Sequence, residues 1–112
     1  MLVDFDMDTG AGVSLMLIGQ ARELFKGENI YSTKLSLLSL CKNNIQVLGF
    51  LSLNVTYNNY NLKLNLYLTN VNRTPLLGRE WMRQLGMIDE NRKIITVSFV
   101  NKLNVCTSDF KL

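Results

Sequence analysis

The sequence predicts an all-β fold built on an antiparallel meander in the middle of the chain. Residues 62–69 alternate leucine with polar or aromatic residues, and residues 51–56 alternate apolar residues with Ser, Asn and Thr. This period of two is typical of strands that bury one face. Asn58-Asn59 lies between the two segments and is a turn signal. The sequence therefore predicts a β-hairpin in this region.

The N-terminal segment predicts a strand, a tight loop, a second strand and a brief helix. Residues 2–7 alternate, with Val3, Phe5 and Met7 on one face, so they form a half-buried strand that ends at Asp8. Gly10 and Gly12 mark a loop, and residues 13–17 are a short buried strand. Residues 19–26 form a brief helix, for which Gly27 is a suitable C-terminal stop.

The remaining elements are hairpins, short strands and one C-terminal helix. Residues 34–40 and the segment from Ile45 form a hairpin around the polar turn Lys42-Asn43-Asn44. Gly49 marks a bend. After a loop that carries the single proline, residues 76–78 form a short buried strand and 79–85 a helix ended by Gly86. Residues 94–100 form a last strand, and no structure is predicted from Asn101 onward.

Composition excludes several classes of function. The chain has 112 residues, 47% hydrophobic and 19% charged, which suits one globular domain. Its net charge of +3 comes from scattered basic residues, so no nucleic-acid surface is predicted. No apolar run reaches the roughly 18 residues of a membrane span, so no membrane association is expected. Two cysteines, Cys41 and Cys106, are too few for a disulfide scaffold, which favours a reducing, cytoplasmic location.

The chain contains no histidine. This absence excludes Ser-His and Cys-His catalysis and any histidine-ligated metal site within the chain. No metal or cofactor is predicted, and carboxylates become the candidates for a catalytic group.

The Asp8-Thr9-Gly10 loop is the candidate catalytic element. In an aspartic protease two close carboxylates share one proton and bind one water, one acting as base and the other as acid. Gly10 would let the backbone approach Asp8 closely, and the Thr9 hydroxyl could brace the loop by hydrogen bonds. The chain carries one such triplet, so the site requires a second copy and a homodimer. The alternative is that Asp8 only caps or turns the chain.

Two distant motifs together resemble a known family. Asp8-Thr9-Gly10-Ala11-Gly12-Val13-Ser14 and, some seventy residues later, Pro75-Leu76-Leu77-Gly78-Arg79-Glu80-Trp81-Met82 resemble the protease domain of Gypsy-type LTR retrotransposons. These domains are relatives of the retroviral aspartic proteases, or retropepsins. The resemblance covers roughly residues 3–90.

This resemblance implies a closed antiparallel β-barrel of the retroviral acid protease type, with one short C-terminal helix, that acts as a homodimer. It implies that Asp8 is catalytic, and that its loop is supported by Thr9, Gly10 and Ala11. It also implies a structural motif made of Leu76, Leu77, Gly78 and Arg79, beneath the Asp8 loop. The hairpin from Leu35 to Val47 would be the flap over a bound peptide, with its tip at Cys41, Lys42, Asn43 and Asn44. The protease domain would span residues 1–90, followed by a C-terminal strand and linker or tail over 91–112.

Three departures from the family pattern affect these expectations. Relatives place a glycine near the flap tip, where this chain has Leu40, Cys41 and Lys42. Retroviral members carry an acidic residue at the position of Gly12, which pairs with the arginine of the later motif. Arg79 would need another partner, such as Glu80 or a residue of the second copy. Seven residues precede Asp8, so the family's N-terminal strand is expected to be missing.

The function that the sequence favours is an aspartic endopeptidase that processes the Gag-Pol-like polyprotein of a retrotransposon. Its partners would be a second copy of the chain and a peptide or polyprotein substrate. One alternative is a catalytically inactive retropepsin-like module used for interaction or dimerisation, or a truncated fragment. A further alternative is a small β-barrel binding domain unrelated to proteases.

Overall fold

The computed structural model describes residues 2–8, 10–33, 46–58, 60–88 and 100–107, and it confirms a mostly β fold. These residues form six strands and two short helices. In chain order the elements are β1 Leu2–Met7, β2 Leu15–Leu17, α1 Ile18–Leu24, β3 Gly49–Tyr57, β4 Tyr60–Thr69, β5 Leu76–Leu77, α2 Arg79–Gln84 and β6 Val100–Thr107. No helix in the described ranges is long and apolar enough to cross a membrane.

Strand β1 has the predicted half-buried pattern. Val3 and Phe5 are buried, whereas Asp4 and Asp6 are exposed on the other face. The alternation arises because successive side chains of a strand point to opposite faces. Asp8 therefore directly follows a strand whose apolar face is buried.

Strands β3 and β4 form the predicted antiparallel hairpin. Their register runs from Gly49 opposite Leu68 to Tyr57 opposite Tyr60. The turn uses Asn58 with φ 52°, a left-handed conformation that asparagine tolerates better than most residues. The inward residues of both strands lie in one large buried cluster, and they are Leu51, Leu53, Val55, Leu64, Leu66 and Leu68.

The strands pair in the order β1-β5-β2-β4-β3-β6, and β6 also pairs with β1, so the order returns to its start. Most of the strand pairs are antiparallel, but β1–β5 and β2–β4 are parallel pairs. Parallel pairs require a crossover connection. In the sheet, β5 lies between β1 and β2. In the sequence, β1 and β2 are consecutive strands, joined by the loop that contains Asp8.

Strand β6 extends over residues for which no structure was predicted, since the sequence predicted none from Asn101 onward. It pairs antiparallel with β1 over residues 100–104 and with β3 over 104–107. Its Val105 is buried in the large cluster. The predicted strand over 94–100 falls outside the described residues except for Val100.

Both helices pack on the sheet and match predicted segments. Helix α1 begins one residue before the predicted range and ends at Leu24, and Gly27 follows with φ 82°. Helix α2 buries Trp81 and Met82, and Leu85 at its end is also buried, as its apolar stripe predicted. The indole nitrogen of Trp81 donates a hydrogen bond to the Asn65 carbonyl at 2.9 Å. This contact fixes α2 against β4.

Candidate active site

Asp8 lies in an exposed tight turn directly after β1. Its carboxylate oxygen Oδ1 accepts a hydrogen bond from the Gly10 N–H at 2.9 Å, and its carbonyl accepts one from the Ala11 N–H at 3.1 Å. A Cβ at Gly10 would lie 3.1 Å from the same Oδ1. The turn therefore orients the carboxylate, and a larger residue at position 10 would crowd it.

Strand β5 supports the Asp8 turn from one side. The Asp8 N–H donates to the Leu77 carbonyl at 3.0 Å, and the Asp6 N–H donates to the Pro75 carbonyl at 2.9 Å. These bonds extend the parallel β1–β5 pairing up to the turn. Leu76 and Leu77 are buried. The structure thus brings the two sequence motifs together, with β5 adjacent to the turn.

Gly78 allows the second motif to contact the first at van der Waals distance. A Cβ at this position would lie 2.3 Å from the Val13 carbonyl oxygen and 2.4 Å from the Val13 carbonyl carbon. Real Cβ atoms do not approach backbone this closely, so only glycine fits. The buried Gly78 N–H donates to the Ser14 hydroxyl oxygen at 3.0 Å.

The start of α2 is bound to the loop that follows Asp8. The Arg79 N–H donates to the Ala11 carbonyl at 2.8 Å, and the Glu80 N–H donates to the Gly12 carbonyl at 3.1 Å. The first N–H groups of a helix have no partner inside the helix, and here the loop supplies the acceptors. Retroviral members have an acidic side chain at the position of Gly12. Here the backbone carbonyl of Gly12 makes the contact with α2. Arg79 itself is half-buried.

A second, smaller apolar cluster forms beside the Asp8 turn. It consists of the buried residues Ala11, Val13, Leu15 and Leu76, with the half-buried Val47 and Tyr67 packed against it. The pairings of Leu15 with both Tyr67 and Leu76 place the cluster across β4, β2 and β5. The cluster anchors the loop between Asp8 and β2 on the sheet.

Tyr67 has a perturbed hydroxyl. Burial raises the pKa of Tyr67 above its ordinary value of 10.0, the nearby Glu80 carboxylate raises the pKa further, and a hydrogen bond with Asn65 opposes both effects. The neutral hydroxyl is favoured in the folded state, since its pKa is higher there than in the unfolded chain. This contribution to stability is fully present below a pH of about 10 and is lost as the pH rises above it.

We therefore expect Tyr67→Phe to flatten the alkaline decline of stability. Urea unfolding of both proteins at a series of pH values from about 8 to about 11 measures this decline. The free energy of unfolding of the wild type should fall more steeply above pH ~10 than that of Tyr67→Phe. Equal slopes for the two proteins would contradict the assignment.

Ser14 ends the first motif, and no role was predicted for it, although the sequence carries one signal of such a role. Ser14 is a hydroxyl residue inside the apolar segment 13–17, and its side chain is fully buried. A buried hydroxyl needs a hydrogen-bond partner, so such a residue indicates a polar contact. The contact is the Gly78 N–H.

Five of the predicted site residues lie outside the described residues. They are Thr9 of the catalytic triplet and the four flap-tip residues Cys41, Lys42, Asn43 and Asn44. Most of the predicted Leu35–Val47 hairpin lies outside as well. Within the described part of the chain, no group of three or more metal-ligating side chains occurs.

Comparisons of the chain with known proteins give no relative. No family model, no curated protein and no solved structure matches it.

Proposed function

We propose that the protein is an aspartic endopeptidase whose active site forms between two copies of the chain. The observation that supports this most strongly is the hydrogen bond from the Asp8 N–H to the Leu77 carbonyl. It joins the two motifs that carry the resemblance to retropepsins. The exposed position of Asp8 supports the proposal as well, because a second copy and a substrate can reach the carboxylate.

The chemistry requires two Asp8 side chains, one from each copy, with a water between them. One carboxylate takes a proton from the water while the water oxygen attacks the peptide carbonyl carbon. The other carboxyl group gives its proton to the carbonyl oxygen, which forms a neutral tetrahedral intermediate. The carboxyl group that took the water proton then donates it to the amide nitrogen. A hydroxyl of the intermediate returns its proton to the other carboxylate as the carbon–nitrogen bond breaks, which releases two peptides and restores the starting carboxyl pair.

In this proposal the sheet is the barrel of the retroviral acid protease type. The ring of strand pairs, with β5 inserted between β1 and β2, supports this assignment. Thr9 would brace the two turns against each other, and the hairpin with its tip at 41–44 would cover an extended peptide. The substrate would be a retrotransposon polyprotein, processed in the cytoplasm.

Sedimentation combined with a peptide-cleavage assay near pH ~5 tests the proposal. We expect a dimer that cleaves peptides at a rate lowered by pepstatin. A dimer without cleavage would favour the inactive interaction module instead. A monomer without cleavage would contradict the proposal that two copies of the chain form the active site.

A further inference from the structure

The peptide group between Leu77 and Gly78 is bound at both of its polar atoms. Its carbonyl oxygen accepts the Asp8 N–H at 3.0 Å, and its N–H donates to the Ser14 hydroxyl oxygen at 3.0 Å. A peptide group is planar, and in the trans form its N–H and C=O point in opposite directions. One rigid unit therefore links the Ser14 side chain to the backbone of Asp8.

This link is shielded from water. The side chains of Ser14 and Leu77 are fully buried, and Gly78 is buried as well. If the Ser14 hydroxyl were removed, the Gly78 N–H would keep no partner and solvent could not replace it. The peptide group would then reorient to find another acceptor, and its carbonyl would move relative to Asp8.

Ser14 itself is anchored in the sheet. Its backbone carbonyl accepts the Tyr67 N–H of β4 at 3.0 Å. On the other side, the Val13 backbone leaves no space beside Gly78. The hydroxyl therefore holds the peptide group from a fixed position.

We propose that Ser14 is a positioning residue that sets the location of Asp8 through the Leu77–Gly78 peptide group. The inference rests on the proposed function, because Asp8 is the residue that it positions. Ser14 does not act on the substrate, since its side chain is buried beneath the turn. Its hydroxyl affects the reaction by keeping the Asp8 carboxylate where a second carboxylate can share its water and proton.

The chain offers a matched control in Thr69. Its side chain is also fully buried, and its hydroxyl oxygen also accepts a backbone N–H, that of Val71 at 3.2 Å. Thr69 pairs with Leu17, at the end of β2 away from the Leu15–Leu76 pair. Thr69→Val also removes a hydrogen bond between a buried hydroxyl and a backbone N–H, and it does so without touching the Asp8 turn. This bond is part-buried, whereas the Ser14–Gly78 bond is buried.

The experiment compares Ser14→Ala, Ser14→Thr and Thr69→Val with the wild type. We measure kcat and KM for peptide cleavage per folded molecule, and amide hydrogen exchange by NMR. Ser14→Ala should lower kcat by roughly 10- to 100-fold and leave KM within about threefold, because misplacement affects chemistry more than binding. Exchange of the Asp8 amide should accelerate about tenfold or more beyond the change in global stability. Ser14→Thr keeps the hydroxyl and should restore both values, and Thr69→Val should change neither.

Two results would overturn the inference. One is an equal loss of kcat in Ser14→Ala and Thr69→Val, and the other is an Asp8 amide whose exchange follows only global stability. If Ser14→Ala does not fold, Ser14→Cys replaces it. Its sulfur is a weaker acceptor of similar size, and we expect smaller changes in the same directions. If the wild type does not cleave peptides, the proposed function fails, and the exchange measurement alone decides whether Ser14 holds the Asp8 turn.

Discussion

Replacing Asp8 with asparagine is expected to lower kcat by at least about 10³-fold, because an amide can neither take a proton from water nor share one with a second carboxylate. The turn should remain intact. An asparagine Oδ1 can still accept the Gly10 N–H, as the Asp8 carboxylate does. Urea unfolding should therefore give a free energy of unfolding within about 0.5 kcal/mol of the wild-type value.

Asp6→Asn is the matched control for this prediction. Asp6 is also exposed, lies two residues earlier on β1, and undergoes the same chemical change. Its kcat should stay within about threefold of the wild type, because its side chain lies on the outer face of the strand. Equal activity of Asp8→Asn and the wild type would rule out Asp8 as the catalytic group.

Replacing Gly78 with alanine is expected to destabilise the fold by about 3 kcal/mol or more. The added Cβ would meet the Val13 backbone at 2.3 to 2.8 Å, and backbone cannot rotate away as a flexible side chain can. β5 would have to separate from the Asp8 loop, which also breaks the Ser14–Gly78 and Asp8–Leu77 hydrogen bonds. For a domain of ordinary stability this loss removes a large part of the total.

Gly19→Ala provides the opposite case. Gly19 is exposed in α1, and a Cβ there would meet nothing within 4 Å. Alanine should stabilise the protein by about 0.5–1 kcal/mol, since glycine is the poorer helix former. Urea unfolding of both variants measures the contrast. A Gly78→Ala protein as stable as the wild type would show that the two motifs do not pack as described.

Local patterns predicted the elements that are stabilised by one buried face. The alternation in β1 and in the β3–β4 hairpin is visible in the residues themselves, as is the apolar stripe of α2 with Trp81. These elements formed as expected because a period of two or of 3.6 residues directly reports which side is buried.

Pairing between distant segments was not predictable from local patterns. β5 has two residues, and nothing in Leu76-Leu77 indicates that it pairs parallel to β1. β6 was not predicted beyond Val100, because residues 101–107 have weak apolar patterning. Its backbone pairs with both β1 and β3. A hydroxyl inside an apolar segment indicates that Ser14 has a polar partner, but nothing in the sequence indicates that this partner is the backbone N–H of Gly78, 64 residues away.

A mixing experiment tests most directly whether two copies of the chain share one catalytic site, as proposed. Inactive Asp8→Asn protein is added to the wild type and allowed to exchange subunits, with Asp6→Asn as the control. With equal amounts, activity per wild-type chain should fall to about half, because random pairing gives half of these chains an inactive partner. Added Asp6→Asn should cause no such fall. Unchanged activity per wild-type chain, in a mixture shown to exchange subunits, would mean that each chain works alone and would contradict the shared site.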